Sequence, residues 1–545
     1  MQNIQQSIRE LVSQHYGQEI EPIVSRPEPQ FGDVSSNVAM QLAKPLQKNP
    51  REIAEELAEM LTELDEVKDV SVAGPGFLNI TLTDSVLVSM LDTHPMNSDK
   101  TVVIETNNPN PFKAMHIGHA YNAIIADTIA NLIEREGNHV YRVSYHGDIG
   151  AHVGRSMYAL LRYIDGDVKK LEEVSTDERN SFMSRMYAEG SRAYKEDEAA
   201  KPVIDELAKQ SFTRQDPTYA HVYDTIFDWS FEEIALNMAR LGNKPVEKKF
   251  LESDADARGV QIVRDHTPEV FEESDGALIF RGSDYGGFDN VFVASNGLGL
   301  YGARDVGLIA LKREQYHPDI SYIVTAEEQK AYFKGLLAAA AQIYPGEDGV
   351  TVNISHGTVK LSTGKMSSRT GDVIEISWLF DQIVDAMNDR GGTVRDDVAM
   401  GALRYAFLKV RVGGDVIFDV NESVSIQGNS GPYLQYAHAR ACSILAKSTV
   451  TIEQPTDCSF QPDERLLLRK VTEYSDVVER ATQELMPHHI CNYLYELSQE
   501  FNRFYEKNRV ISDDRESVRL WLVETYRDTL ADGLGLLGIP APKTL

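Results

Sequence analysis

The run His116-Ile117-Gly118-His119 places two imidazoles about one helical turn apart, after an apolar run and at the start of an apolar-faced helical segment. Ring N–H groups at that spacing donate to phosphate oxygens. The helix N-terminus adds partial positive charge, and the intervening glycine lets a flat base approach the backbone. Taken alone, the pair fits equally well a helix start with incidental histidines or half of a zinc site. A second cluster, Gly364-Lys365-Met366-Ser367-Ser368-Arg369, follows a β-like run much further along the chain. Its Gly, Ser and Lys content suits a loop that closes over phosphates, its lysine neutralising charge that develops on a leaving pyrophosphate. The two clusters in this order are much harder to dismiss than either alone.

Chemistry of that kind needs a frame that holds both clusters at one phosphate. Residues 101–106 (TVVIET) read as a buried strand, 120–135 as a helix closed near Gly137, and 140–143 as the next strand. That is a βαβ unit, and a doubly wound parallel sheet binds nucleotides just where the histidines fall. The frame extends over 99–385, interrupted at about 156–276 by a charged, helical insertion. The strand pattern resumes at 277–280, 291–294, 322–325 and 352–355. Residues 1–98 open with a helical segment. Asn49-Pro50-Arg51-Glu52 then starts a helix whose Ile53, Leu57 and Leu61 share a face. Short β-like runs follow at 67–72 and 77–82 around Gly74-Pro75-Gly76, and 92–100 reads as a linker. From about 394 the chain is almost wholly helical, broken by a polar loop at 447–462, so 386–545 reads as a separate bundle. The fold class expected is α/β: a Rossmann-type doubly wound parallel sheet carrying an insertion, with an N-terminal α+β domain and a C-terminal all-α helical bundle.

With 545 residues, 42% hydrophobic and 25% charged, the chain builds more than one core. No stretch is apolar enough to span a bilayer. The N-terminus, MQNIQQSIRELVSQHYG, is a polar amphipathic helix without a signal-peptide core, so a cytoplasmic protein is expected. The three cysteines, Cys442, Cys458 and Cys491, have no paired spacing, which supports neither a disulfide framework nor a cysteine zinc site. His488-His489 with Cys491 reads as structural, because adjacent side chains on a helix diverge. The formal charge of -29 argues against a nucleic-acid partner. Net charge governs solubility and long-range steering, however, and an acidic protein still presents local basic faces. Any RNA binding should be modest and salt-sensitive.

The two phosphate-facing clusters resemble the HIGH and KMSKS signatures of class I aminoacyl-tRNA synthetases. That resemblance implies attack of an amino acid carboxylate on the ATP α-phosphate, release of pyrophosphate, and transfer of the acyl group to the terminal ribose of tRNA. An already anionic nucleophile needs positioning and charge stabilisation rather than a strong base. The resemblance makes His116, His119, Lys113 and Lys365 catalytic, and His116, Gly118, His119, Lys365, Met366, Ser367 and Arg369 the ATP contacts. Ser368 stands where the signature's second lysine is expected. Arginyl-tRNA synthetases often lack that lysine and use one upstream of HIGH, where Lys113 stands.

Further motifs are similar to the same family. Glu105-Thr106-Asn107-Asn108-Pro109-Asn110 resembles its substrate strand, Tyr301-Gly302-Ala303-Arg304-Asp305 its Tyr-x-x-Arg-Asp element, and Gln329 its pocket glutamine. Glu105, Asn110, Tyr301, Asp305 and Gln329 thereby become arginine contacts. They supply the carboxylates, amides and phenol that a planar, five-donor guanidinium requires. Taken singly, each has an ordinary alternative: a lysine partner for Glu105, a helix cap for Asp305, a core position for Tyr301. Residues 428–440 (GNSGPYLQYAHAR) resemble the opening of the family's anticodon-binding domain, which assigns Tyr436, Arg440 and Tyr505 to tRNA. Arg509 stands where some relatives place an aromatic. Phe31-Gly32-Asp33 and 74–79 (GPGFLN) resemble the N-terminal domain that grips the tRNA elbow, with Phe77 stacking and Asn79 reading a base edge. The implied partners are tRNA(Arg), L-arginine and ATP with Mg2+, with no structural zinc, no membrane, and a monomer. The insertion reads as something other than an editing domain, since a pocket that hydrogen-bonds a guanidinium already rejects most analogues. The competing readings are a synthetase for cysteine, glutamate or lysine, a non-catalytic RNA-binding relative, and a small-molecule adenylating ligase.

Overall fold

The computed structural model describes residues 2–91, 98–346, 349–362, 374–390, 395–455 and 459–545. Lys365, Met366, Ser367 and Arg369 of the second signature lie outside the described residues, as do Cys458 and most of the 92–100 linker.

The strand Thr101–Glu105 buries Val102, Val103 and Ile104 and therefore takes a central place. Five strands form one sheet in the order Thr351–His356, Ile320–Ala326, Thr101–Glu105, His139–His146, Lys248–Leu251, with every neighbouring pair parallel. The chain winds outward from Thr101–Glu105 in both directions, so the crevice at the topological switch opens where Glu105 ends its strand. The helix Ile117–Arg135 follows, buried on nearly all sides.

Two strands expected to rejoin this sheet do not. Ala277–Phe280 and Asn290–Val293 pair antiparallel with one another, and Ala277–Phe280 also pairs with Glu272–Ser274, in a separate three-stranded sheet. The link over 281–289 is too short for the crossover that a parallel pairing requires. Conversely, Lys248–Leu251 lies inside the 156–276 stretch read as an insertion, yet forms the edge of the parallel sheet. Its two lysines disguise it, and an edge strand tolerates them. The helices Ala151–Ile164, Arg179–Glu196 and Pro217–Arg240 of that stretch share a core of their own around Met157, Phe182, Tyr219, Tyr223 and Trp229.

The N-terminal region is a four-stranded antiparallel sheet packed on helices that include Pro50–Thr62, where Asn49 caps the Arg51 N–H at 2.9 Å. It docks on the C-terminal bundle through Arg465, whose guanidinium reaches Asp33 at 2.7 Å and Asp84 at 2.8 Å. The bundle docks on the catalytic sheet through Arg404. This fully buried guanidinium donates to Asp127 on the Ile117–Arg135 helix at 3.0 Å, and to the carbonyls of Leu241 at 2.8 Å and Leu537 at 2.7 Å.

Candidate active site

His116 precedes the first turn of Ile117–Arg135, and its backbone N–H donates to Nδ1 of His119 at 3.3 Å. The His119 proton therefore sits on Nε2. The two rings stack with centroids 3.6 Å apart. A Cβ on Gly118 would lie 3.1 Å from the His116 ring, so glycine permits the stack. Burial, with Lys113 nearby, holds His116 down to about 4, and burial with His116 and Lys113 holds His119 well below its usual range. Both imidazoles are neutral at pH 7 and each keeps one ring N–H to donate, while Lys113 and the helix N-terminus add positive charge. The flanks of the second signature are fixed beside them. Ile117 N–H donates to Ile374 O at 2.9 Å and Ile376 N–H to Met115 O at 3.1 Å, while Ser362 N–H is held by Phe418 O at 2.9 Å.

Lys113 makes no ion pair among the described residues. Burial lowers its pKa, against which Tyr187 and Glu252 act. The residue before it, Phe112, is buried with φ +67, a left-handed conformation that costs a bulky side chain roughly 1–3 kcal/mol unless its surroundings enforce it.

Near the two histidines and Lys113 lies a cluster of carboxylates, Glu105, Glu252 and Asp305. Glu105 is buried, with Oε1 2.7 Å from Lys312 Nζ and Oε2 accepting from Asn108 Nδ2 at 2.8 Å. Asp305 accepts a short hydrogen bond from the Tyr332 hydroxyl. Burial pushes Asp305 up to about 7, with Glu105 and Glu252 adding to the rise, and Tyr332 and Lys312 opposing it. Tyr145, Thr106 and Asn107 bring a hydroxyl, Oγ1 and Oδ1 that are buried without a hydrogen-bond partner among the described residues. Asn110 Oδ1 accepts from Gly147 N–H at 2.9 Å, and a Cβ on Gly147 would sit 3.0 Å from Glu252 Oε1.

Close helix packing assembles these groups. A Cβ on Gly259 would meet Ala303 O at 1.7 Å and one on Gly307 would meet Ala255 O at 2.0 Å, so the helices Glu252–Asp265 and Tyr301–Tyr316 touch backbone to backbone. That approach pairs Arg304 with Glu252 at 2.9 Å and with Asp256 at 3.0 Å, leaving Arg304 as the clamp between the helices. Tyr301 is 71% exposed and Gln329 is also exposed, the latter on a turn three residues before Tyr332. The structure thus brings Glu105 and Asp305 together and leaves Tyr301 and Gln329 more open. Tyr145, Glu252, Lys312, Tyr332 and His152, which donates to Gly147 O at 2.7 Å, are absent from the residues read off the sequence. The rule that parallel strands present their C-terminal ends to the site points to Tyr145 and, once Lys248–Leu251 is seen as a strand, to Glu252.

The residues expected at tRNA lie in the flanking domains. Phe77 is 41% exposed whereas Asn79, two positions along the same strand face, is buried. Tyr436 is 46% exposed, and Arg440 one turn later lays its guanidinium 4.6 Å from the Tyr505 ring centroid. Arg509 is exposed and donates to Ile511 O at 2.9 Å. His489 pairs with Glu484 at 2.6 Å and Cys491 is fully buried. No group of three or more His, Cys, Asp or Glu able to hold a metal ion is present among the described residues. No described helix is long and apolar enough to cross a membrane.

A doubly wound sheet with stacked signature histidines at its switch point and a helical anticodon-type bundle behind it defines a class I aminoacyl-tRNA synthetase, and residues 82–420 match the family described as "tRNA synthetases class I (R), catalytic domain". Since that match takes in well over half the chain, and the flanking matches are to the "Arginyl tRNA synthetase N terminal domain" over residues 1–82 and the "DALR anticodon binding domain" over 434–545, the chain belongs to the arginyl-tRNA synthetase family. It is 29% identical to the arginine--tRNA ligase of Picosynechococcus sp., over 99% of this chain and 98% of that one. In fold it is similar to the Thermus thermophilus arginyl-tRNA synthetase, with TM-score 0.81, 24% identity and all of both chains covered. The Plasmodium falciparum enzyme is similar at TM-score 0.81 and 20% identity, over 100% of this chain and 99% of that one. The activity is ligation of arginine to tRNA, with tRNA(Arg), arginine and ATP as substrates.

Proposed function

We propose that the acidic pocket beside the signature histidines holds the guanidinium of L-arginine while its carboxylate attacks the ATP α-phosphate. Asp305 supplies the negative charge, Glu105 and Asn110 line the strand end, and Tyr301 and Gln329 close over the substrate from the mouth. The observation that carries this reading is the clustering of Glu105, Glu252 and Asp305, of which Asp305 alone has no ion pair among the described residues, with the unpartnered Tyr145 hydroxyl nearby. Such a cluster suits a cation with several N–H donors.

The ATP phosphates lie across the helix N-terminus and are met by the neutral His116 and His119, by the backbone at Gly118, and by Lys113. Lys365, Met366, Ser367 and Arg369 of the second signature complete the ATP contacts. Mg2+ bound with the nucleotide would supply further charge neutralisation on the phosphates. Pyrophosphate leaves, and the arginyl group then passes from the adenylate to the 3'-terminal ribose with release of AMP. Phe77 engages the tRNA elbow from the same strand that carries the buried Asn79, and Tyr436, Arg440 and Tyr505 the anticodon loop, where unstacked bases meet aromatic and guanidinium faces. The division into 1–98, 99–385 and 386–545 follows these roles, and the enzyme works as a cytoplasmic monomer.

ATP–pyrophosphate exchange measured with each proteinogenic amino acid, with and without tRNA, tests the reading. Exchange with arginine alone supports it, and comparable exchange with lysine or glutamate contradicts it.

A further inference from the structure

Phe112, the residue before Lys113, belongs to the core of the helical insertion. Its ring is fully buried there and lies 4.9 Å from that of Tyr223. Its left-handed backbone is held from both sides by the same stretch. The Phe112 N–H donates to Ser230 Oγ at 3.0 Å, and the Phe112 carbonyl accepts from Ser156 Oγ at 2.7 Å. Ser230 in turn donates to Ile226 O at 2.7 Å, which leaves its lone pairs free for Phe112. Both serines are buried, so each bond is made without competition from water. Tyr223 is fixed through its hydroxyl to Asp148 O at 2.8 Å. On the other side of Lys113, the backbone is tied at Met115 O to Ile376 N. Lys113 therefore hangs between two anchors, one contributed by the insertion and one by the flank of the second signature.

We propose that Ser156, Ser230 and Tyr223 are positioning residues for Lys113, so that the insertion sets the geometry of adenylate formation without touching ATP. This inference rests on the reading that Lys113 contacts the ATP phosphates. A serine that merely stabilised the insertion would affect every substrate alike. One that acts through Lys113 affects ATP and depends on the lysine being present.

A double-mutant cycle separates these cases. S156A and S230A are each made in the wild-type and K113A backgrounds, and exchange kinetics are measured with saturating tRNA. In the wild-type background each serine variant is expected to lose about 10- to 100-fold in kcat/KM for ATP, as for an ångström-scale misplacement of a phosphate ligand, with KM for arginine unchanged. On K113A neither should cause further loss, and S230T, which keeps the hydroxyl, should recover most of the activity. Losses of equal size in both backgrounds, or parallel rises in the KM of ATP and arginine, would overturn the proposal while leaving the role of Lys113 standing. Full exchange activity in K113A would remove both together.

Discussion

Glu105 and Lys312 face each other at 2.7 Å, both buried, at the tip of the central strand. The lysine comes from the same helix as Tyr301 and Asp305, and it neutralises Glu105 before any substrate arrives. Glu252 is engaged likewise by Arg304. The carboxylate without a cationic partner is Asp305, bonded to a neutral phenol. On the proposed reading, the charge that meets an incoming guanidinium is therefore that of Asp305, with Glu105 and Glu252 nearby.

Arginine binding should therefore weaken in mild acid. Burial, with Glu105 and Glu252 nearby, raises Asp305 to about 7 despite Tyr332 and Lys312. A bound guanidinium favours the ionised form, so binding releases a proton, and affinity falls as pH drops below 7. KM for arginine is expected to rise about tenfold between pH 8 and pH 6, with KM for ATP changing far less. A D305N variant should show a flat arginine profile over the same window.

At neutral pH, D305N should raise KM for arginine about 100-fold or more, since it leaves a buried guanidinium short of its charged partner. Equal effects on arginine and ATP in steady-state kinetics would place Asp305 outside the pocket.

Arg404 joins the anticodon-type bundle to the helix that begins at the signature histidines, through a pair in which both side chains are fully buried. R404M should destabilise the chain by about 3 kcal/mol, because it leaves Asp127 buried with only Arg142, at 3.3 Å, as its ionic partner. Urea denaturation should show the loss as a lower midpoint. The effect of D127N should overlap with it rather than add, since both remove one network.

Tyr436 stands exposed beside the Arg440–Tyr505 stack. Y436A should raise KM for tRNA by the equivalent of about 1–3 kcal/mol, a typical stacking contribution, with arginine and ATP constants unaltered. F77A should likewise weaken tRNA use alone. It is a cleaner probe than removing residues 1–98, which would strip Arg465 of Asp33 and Asp84.

The architecture was legible where periodicity and local chemistry agreed. The run 101–106, the capped helix after Asn49 and the almost wholly helical C-terminal region correspond to elements of the structure, the short strand Val416–Phe418 being the exception within that region. Where a strand lacks an apolar run, as in Lys248–Leu251, pattern reasoning is blind, and with that strand went Glu252. The antiparallel sheet around Ala277–Phe280 was misplaced because an isolated apolar run does not reveal its partner. Among the candidate site residues, the family resemblance picked out Glu105, Asp305 and the histidines. Lys312 and Tyr332 were not visible, since Lys312 meets Glu105 and Tyr332 meets Asp305 only once elements distant in sequence pack together.

The account turns on charge recognition at Asp305, and calorimetric binding of L-arginine against L-citrulline, its uncharged near-isostere, tests this most directly. Wild-type chain should prefer arginine by about 100-fold or more, and D305N should largely abolish that preference. Comparable affinity of the wild type for the two ligands, or a preference untouched by D305N, would contradict the account.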